Sequence, residues 1–225
     1  MIKAIFMDID NTLLDFSECA KFAMTRAFEK NNIPFKEEYF STFTKINHSL
    51  WREIEKGRLD KEGLYKTRWK NIFSELNINF NGELFEKDFV SSLFDSYQTV
   101  DGAEEILKYL KNKYILCAAT NGPHAEQYSR LKNAGLFSYF DHIFISEDFG
   151  AAKPSKKFFD SCIKYLPDIK KDEILLVGDS ITADIVGGVE YGLKTCWFNY
   201  YKMSNASNVV SDYKINNLYE LENIV

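Results

Sequence analysis

Two aspartates two residues apart, Asp8 and Asp10, follow directly on the apolar run of residues 2–7. A short apolar run that stops at an acidic cluster is the pattern of a buried parallel strand delivering polar side chains at its carboxyl end. Alternation along a strand sends residues i and i+2 to the same side, so the two carboxylates would meet at one edge of a sheet. Two anions that close call for a cation. A hard divalent ion such as Mg²⁺, which takes oxygen ligands and keeps several waters, suits them, and phosphate oxygens can complete its shell.

A second acidic constellation, Gly178-Asp179-Ser180-Ile181-Thr182-Ala183-Asp184, follows the apolar run 174–177. Asp179 at the strand end and Asp184 early in the next helix could converge on the same ion. Five residues apart in one continuous helix they would not share a face, so the strand-to-helix bend must bring them together. Thr120-Asn121-Gly122 closes another apolar run and precedes a helix opened by Pro123, which offers a hydroxyl and backbone amides where an anion could dock. Lys153, in Ala151-Ala152-Lys153-Pro154, precedes a further helix, and the following proline favours an extended lysine with a fixed charge. Singly, an aspartate pair can cap a turn, Thr120 a helix, Asp184 can complement a helix dipole, and Lys153 can be a solvated surface charge. Together they supply a nucleophile, metal ligands, a phosphate-binding hydroxyl and a cation. Those are the parts of a phosphoryl transfer, which is catalysed mainly by positioning and charge neutralisation.

The elements that must position these residues alternate along most of the chain. Apolar runs at 2–7, 114–119, 174–177 and 194–198, with a shorter one at 142–145, read as strands, and the patterns at 103–111, 123–134, 154–166 and 183–191 read as helices. That order predicts a doubly wound α/β fold with a mainly parallel, Rossmann-like sheet, whose ligands bind outside the carboxyl ends of the strands. Pro123 and Pro154 suit the first turn of their helices. Residues 16–97 break the alternation and read as four consecutive helices, near 16–30, 36–56, 61–76 and 82–96, separated by Asn- and Gly-containing loops. A length of 225 residues fits one core domain with a small insertion. The expected division is a core of residues 1–15 and 98–225 and an α-helical bundle of residues 16–97. The Asn/Ser-rich stretch 204–211 reads as a surface loop before a last strand at 213–215 and a terminal helical turn.

Composition narrows the function classes. With 45% hydrophobic residues, 19 Phe and 13 Tyr the chain can bury a core. A net charge of -5 without basic clusters argues against a nucleic-acid polymer or an anionic membrane as partner. Cys19, Cys117, Cys162 and Cys196 form no C-x-x-C pair, and no signal-like start or bilayer-length apolar run is present, which reads as a reduced, cytoplasmic protein. Oligomeric state has no readable signal.

In these residues the chain resembles the haloacid dehalogenase superfamily, whose four motifs match Asp8-Ile9-Asp10-Asn11-Thr12, Thr120, Lys153, and Gly178-Asp179 with Asp184. It is similar to the subclass with an α-helical cap inserted just after the first motif. Thr120-Asn121-Gly122, the segment 51–64 and Gly187-Gly188 look most like its pyrimidine 5'-nucleotidase branch. The resemblance implies that Asp8 attacks phosphorus while Asp10 protonates the leaving oxygen and later activates water. It implies that Asp8, the Asp10 carbonyl and Asp179 hold Mg²⁺, with Asp184 ligating directly or through water. Thr120 and the Asn121 amide would bind phosphate oxygens, and Lys153 would neutralise Asp8 and the phosphoryl group. The implied substrate is a small phosphorylated metabolite, nucleoside 5'-monophosphates foremost. A sugar phosphate or phosphoglycolate phosphatase, a phosphomutase and a non-catalytic binding module are the alternatives. Asp10 argues against a haloalkanoate dehalogenase, which needs neither Mg²⁺ nor an acid there. Of the residues in the insertion that could line a pocket, Arg58 beside Gly57, Arg52 and His48 are the candidate substrate contacts; Lys56 and Arg68 are weaker ones, and Trp51 and Trp69 sit at spacings that favour packing. His124 is either a pocket wall or an exposed residue of the first helical turn.

Overall fold

The strand β1 (Ala4–Met7) is buried along its whole length, because helices cover both faces of the sheet it joins and leave no side for a polar alternation. The computed structural model describes residues 1–205 and 208–225; of the loop expected at 204–211, Ala206 and Ser207 lie outside the described residues. The chain divides into two compact units, Met1–Phe16 with Tyr97–Val225, and Ser17–Ser96.

After β1 come the helices α1 (Phe16–Lys30), α2 (Tyr39–Glu55), α3 (Lys61–Leu76) and α4 (Gly82–Phe94), then α5 (Ala103–Leu110) and β2 (Ile115–Thr120). They are followed by α6 (His124–Asn133), β3 (His142–Ile145), α7 (Ser146–Phe149), α8 (Lys156–Ile163) and β4 (Ile174–Gly178). The chain ends with a π-helical turn (Ile181–Val186), α9 (Gly187–Tyr191), β5 (Lys194–Phe198), β6 (Tyr213–Ile215) and a 3₁₀ turn (Leu218–Asn223).

In the first unit the six strands form one parallel sheet in the order β3-β2-β1-β4-β5-β6. Alternate residues feed two separate cores. Ile5, Met7, Leu116, Ala118, Leu175 and Val177 pack with α5, α6 and the C-terminal turn, whereas Ala4, Phe6, Cys117, Ala119, Ile174 and Leu176 pack with α8 and α9. The doubly wound α/β architecture is therefore the one the sequence predicts. All four cysteines are buried, and none forms a disulfide among the described residues.

Several boundaries differ from the sequence reading, among them the helix expected at 183–191, which is a π-helical turn over Ile181–Val186 followed by α9. The helix expected from 154 begins at Lys156, where the Ser155 hydroxyl accepts the Phe158 N–H. Lys153, expected to be extended, and Pro154, expected in the first helical turn, lie in a turn and are joined by a cis peptide bond. Pro123 caps α6 from outside rather than opening it, and the short α7 was not anticipated.

The second unit is held by aromatics. Trp69 is fully buried, with ring centroids 4.3 Å from Phe85, 5.3 Å from Phe89 and 6.0 Å from Phe28, in contacts worth about 0.5–1.5 kcal/mol each beyond area burial. Beside it, Arg68 forms a two-pronged ion pair with Glu86, donates to Asn47 at 2.9 Å and lies 4.8 Å from the Phe89 ring. Trp69 and Arg68 thus build the interior of this unit. Asp60 caps α3 by accepting the Gly63 N–H at 2.7 Å, and Asn77 ends it in the left-handed conformation.

Candidate active site

Chain order reverses beside β1, since β2 lies on one side of it and β4 on the other, and such a switch point opens a crevice at the carboxyl ends of the strands. Asp8 and Asp179 are the first residues past β1 and β4. The Asp8 N–H donates to the Val177 carbonyl at 2.9 Å, which fixes Asp8 against the end of β4. The chain then turns sharply. Leu13 N–H bonds the Ile9 carbonyl, Asn11 N–H bonds the Leu14 carbonyl, and Asn11 takes a positive φ of 57°, a conformation asparagine tolerates. This turn carries Asp10.

Asp8, Asp179 and Asp184 each bring a carboxylate oxygen to within 4.8 Å of the others. The convergence depends on the π-helical turn, closed by a bond from the Ile185 N–H to the Ser180 carbonyl at 3.2 Å, which widens the helix start and turns Asp184 back toward the strand. Asp184 is 0% exposed and accepts the Ser180 N–H at 3.1 Å. Position 178 must be glycine for this, because a Cβ there would lie 2.2 Å from Asp184 Oδ2. Among the three carboxylates stands Lys153, 2% exposed, whose ammonium donates to Asp8 Oδ1 at 2.7 Å, Asp184 Oδ1 at 2.6 Å and the Ala119 carbonyl at 2.6 Å. Every ammonium hydrogen has an acceptor, which is what makes a buried lysine tolerable.

The cluster is nevertheless unbalanced, with three carboxylates against one ammonium. Burial pushes the Asp8 carboxyl up to about 7; Lys153 opposes the shift and Asp184 adds to it. Burial likewise raises Asp179 well above the usual carboxylate range, reinforced by Asp8 and Asp184. Lys153 is pulled down by burial, but Asp184 and Asp8 together outweigh that and hold it above its ordinary value. Desolvated hard oxygen donors with surplus negative charge fit a divalent cation such as Mg²⁺.

The opposite wall is built from β2 and α6. The Thr120 hydroxyl accepts the Gly122 N–H at 3.0 Å and the Gln127 amide at 3.2 Å, and keeps its own proton to donate. The Gly122 amide is therefore engaged by Thr120 instead of standing free for an anion, as the sequence reading had it. The Asn121 side chain grips the Lys153 backbone at both ends, donating to its carbonyl at 2.9 Å and accepting its N–H at 2.8 Å, so it holds the turn that aims the lysine. Asp10 is met by two residues that sequence reasoning missed. Gln127 Nε2 donates to Oδ2 and Arg130 Nη1 to Oδ1, both at 2.6 Å. The available signal was a glutamine and an arginine three apart, hence on one face, in the helix following Thr120. His124 is half-buried, bonded to Asp148 at 2.7 Å and stacked on Tyr128.

The remaining candidates lie in the second unit. Arg52, His48 and Arg58 are exposed, and Arg58 pairs with Glu53 at 2.8 Å. Among the described residues no helix is long and apolar enough to cross a membrane.

Comparison with known proteins identifies the family. The model of a hydrolase family, the haloacid dehalogenase-like hydrolases, matches residues 2–192. The HAD-hydrolase YfnB of Bacillus subtilis is 34% identical over 99% of this chain and 95% of its own. A crystal structure of YfnB bound to magnesium superposes with a TM-score of 0.94 over 99% of this chain and 98% of that one. The pyrimidine 5'-nucleotidases PynA of Streptococcus pneumoniae and YjjG of Escherichia coli are each 31% identical. PynA aligns over 97% of this chain and 93% of its own, and YjjG over 98% and 96%.

Proposed function

Because the chain belongs to the haloacid dehalogenase-like hydrolase family, we propose that it is a phosphomonoesterase with Asp8 as nucleophile, acting on nucleoside 5'-monophosphates, pyrimidine ones foremost. The observation that carries the reading is the contact of Lys153 with Asp8 at 2.7 Å inside a cluster of three aspartates at the switch point, Asp8 and Asp184 buried and Asp179 half-buried. A fixed ammonium beside the attacking oxygen neutralises both the nucleophile and the incoming phosphoryl group without reorganising.

An Asp8 oxygen bonds to phosphorus as the ester P–O bond breaks, and Asp10 gives its proton to the departing oxygen. Water then attacks the phosphorus of the aspartyl-phosphate, Asp10 takes a proton from that water, and inorganic phosphate leaves with Asp8 restored. Thr120 donates its hydroxyl proton to a phosphoryl oxygen throughout. Asp8, Asp179, Asp184 and the Asp10 carbonyl would hold Mg²⁺, which when bound supplies neutralisation of phosphoryl charge. Ser17–Ser96 takes the part of the inserted cap that recognises the leaving group, with Arg58, Arg52 and His48 as its candidate contacts.

The nucleotide assignment is supported by the two pyrimidine 5'-nucleotidase relatives, each aligned over nearly the full chain. The test is release of inorganic phosphate from a panel of nucleoside monophosphates, sugar phosphates and phosphoglycolate, with Mg²⁺ or with chelator. Pyrimidine 5'-monophosphates should show the highest kcat/KM. No phosphate release from any ester sinks the phosphatase reading, and a sugar phosphate preferred over every nucleotide sinks the substrate class alone.

A further inference from the structure

Both oxygens of the Asp10 carboxylate are held by one helix. Gln127 Nε2 reaches Oδ2 and Arg130 Nη1 reaches Oδ1, each at 2.6 Å, and both side chains are 0% exposed. The same Gln127 amide also bonds Thr120 Oγ1 at 3.2 Å, so the grip on Asp10 is tied to the hydroxyl at the end of β2. A Cβ on residue 122 would lie 1.8 Å from Gln127 Nε2, so the glycine there is what lets the amide pass to Asp10. Arg130 is steadied in turn by Glu126 at 3.4 Å and by the Phe16 ring at 5.8 Å.

From this arrangement we infer that Gln127 and Arg130 are positioning residues that aim the Asp10 carboxyl at the leaving group and, later, at the hydrolytic water. The inference rests on the phosphatase reading for what Asp10 does. A carboxyl on a turn needs two fixed partners to lose its rotational freedom, and here a charged donor sets one oxygen and a neutral donor the other. Gln127 is the weaker arm, so it is the one that parts when an Asp10 oxygen turns to the substrate.

The distinguishing readout is dependence on the leaving group. An alkoxide leaves a phosphate ester only with a proton, whereas p-nitrophenolate leaves without one. Misaiming the acid should therefore lower kcat/KM for a nucleoside monophosphate and spare kcat/KM for p-nitrophenyl phosphate. For Arg130→Ala the expected loss is roughly 100-fold on the nucleotide and under about 3-fold on the aryl ester, with Arg130→Lys recovering about 10-fold. Gln127→Met keeps the volume and removes the donor; it should lose roughly 10-fold on the nucleotide alone, and it keeps the test decisive where Arg130→Ala fails to fold. Equal losses on both substrates, or none on either, overturn the inference. A wild-type protein that hydrolyses neither ester overturns the phosphatase reading instead. In that case a crystal structure of Gln127→Met decides, because an Asp10 side chain in the same orientation with full order rules out the clamp.

Discussion

The buried Arg68 of Ser17–Ser96 and the buried Lys153 of the switch point meet their anions on opposite principles. In Ser17–Ser96, Arg68 meets Glu86 through two nitrogens and Asn47 through a third, walled by Phe43 and Phe89, so its positive charge is matched one for one. At the switch point, Lys153 has all its acceptors but faces three carboxylates, and burial, reinforced by the neighbouring carboxylates, raises Asp8 and Asp179. A closed pair of this kind serves the interior of its unit. An open one keeps unspent charge at the strand ends, which is what the proposed phosphatase chemistry calls for.

The comparison can be broken most sharply by removing the reactive carboxylate. Asp8→Asn keeps the shape of the site and removes the nucleophile, so turnover should fall by at least ~10³-fold with little loss of folding. Phosphate-release kinetics beside thermal melts check it, and near-native turnover would end the nucleophile assignment. The reverse is expected in the other unit. Arg68→Ala leaves Glu86 buried without its partner and should cost about 3–5 kcal/mol in urea unfolding, while the phosphorus chemistry of the folded fraction is preserved.

The open cluster should also show itself as a linkage between pH and metal. A carboxyl whose folded pKa lies above its unfolded value binds more protons when folded, so its contribution is present below the ordinary carboxylate range and is lost as pH rises through the folded pKa. With Asp8 raised from 3.8 to about 7, metal-free protein should lose stability between about pH 4 and 7. Bound Mg²⁺ compensates the anions, so the thermal shift on adding it should be larger at pH 8 than at pH 5.5, on the order of 1–3 kcal/mol at saturating metal. An Mg²⁺ shift independent of pH would mean the cluster is already balanced. The smallest effect belongs to an exposed cap: Asp60→Ala removes the cap of α3 and should cost about 1 kcal/mol with kcat unchanged.

Which parts were readable beforehand follows from the range of the forces involved. The strand runs, the carboxylates at their ends, the α3 bounds with Asp60 before and Asn77 after, and the four-helix insertion are local, because hydrophobic period, capping and turn chemistry act within a few residues. Asp8, Asp179, Asp184, Thr120 and Lys153 could be picked out because a doubly wound sheet gathers its strand ends at one edge. The partners were a different matter. Gln127 and Arg130 meet Asp10 across 117 and 120 residues, and Asn121 grips Lys153 across 32. Arg68 reads in the sequence as a weak pocket candidate, and its ion pair with Glu86, 18 residues on, makes it part of the interior instead. Local pattern thus placed the reactive groups on their elements, and only the packing of those elements decided which neighbours hold, charge and aim them, since side-chain contacts at such separations leave no periodic trace in the chain.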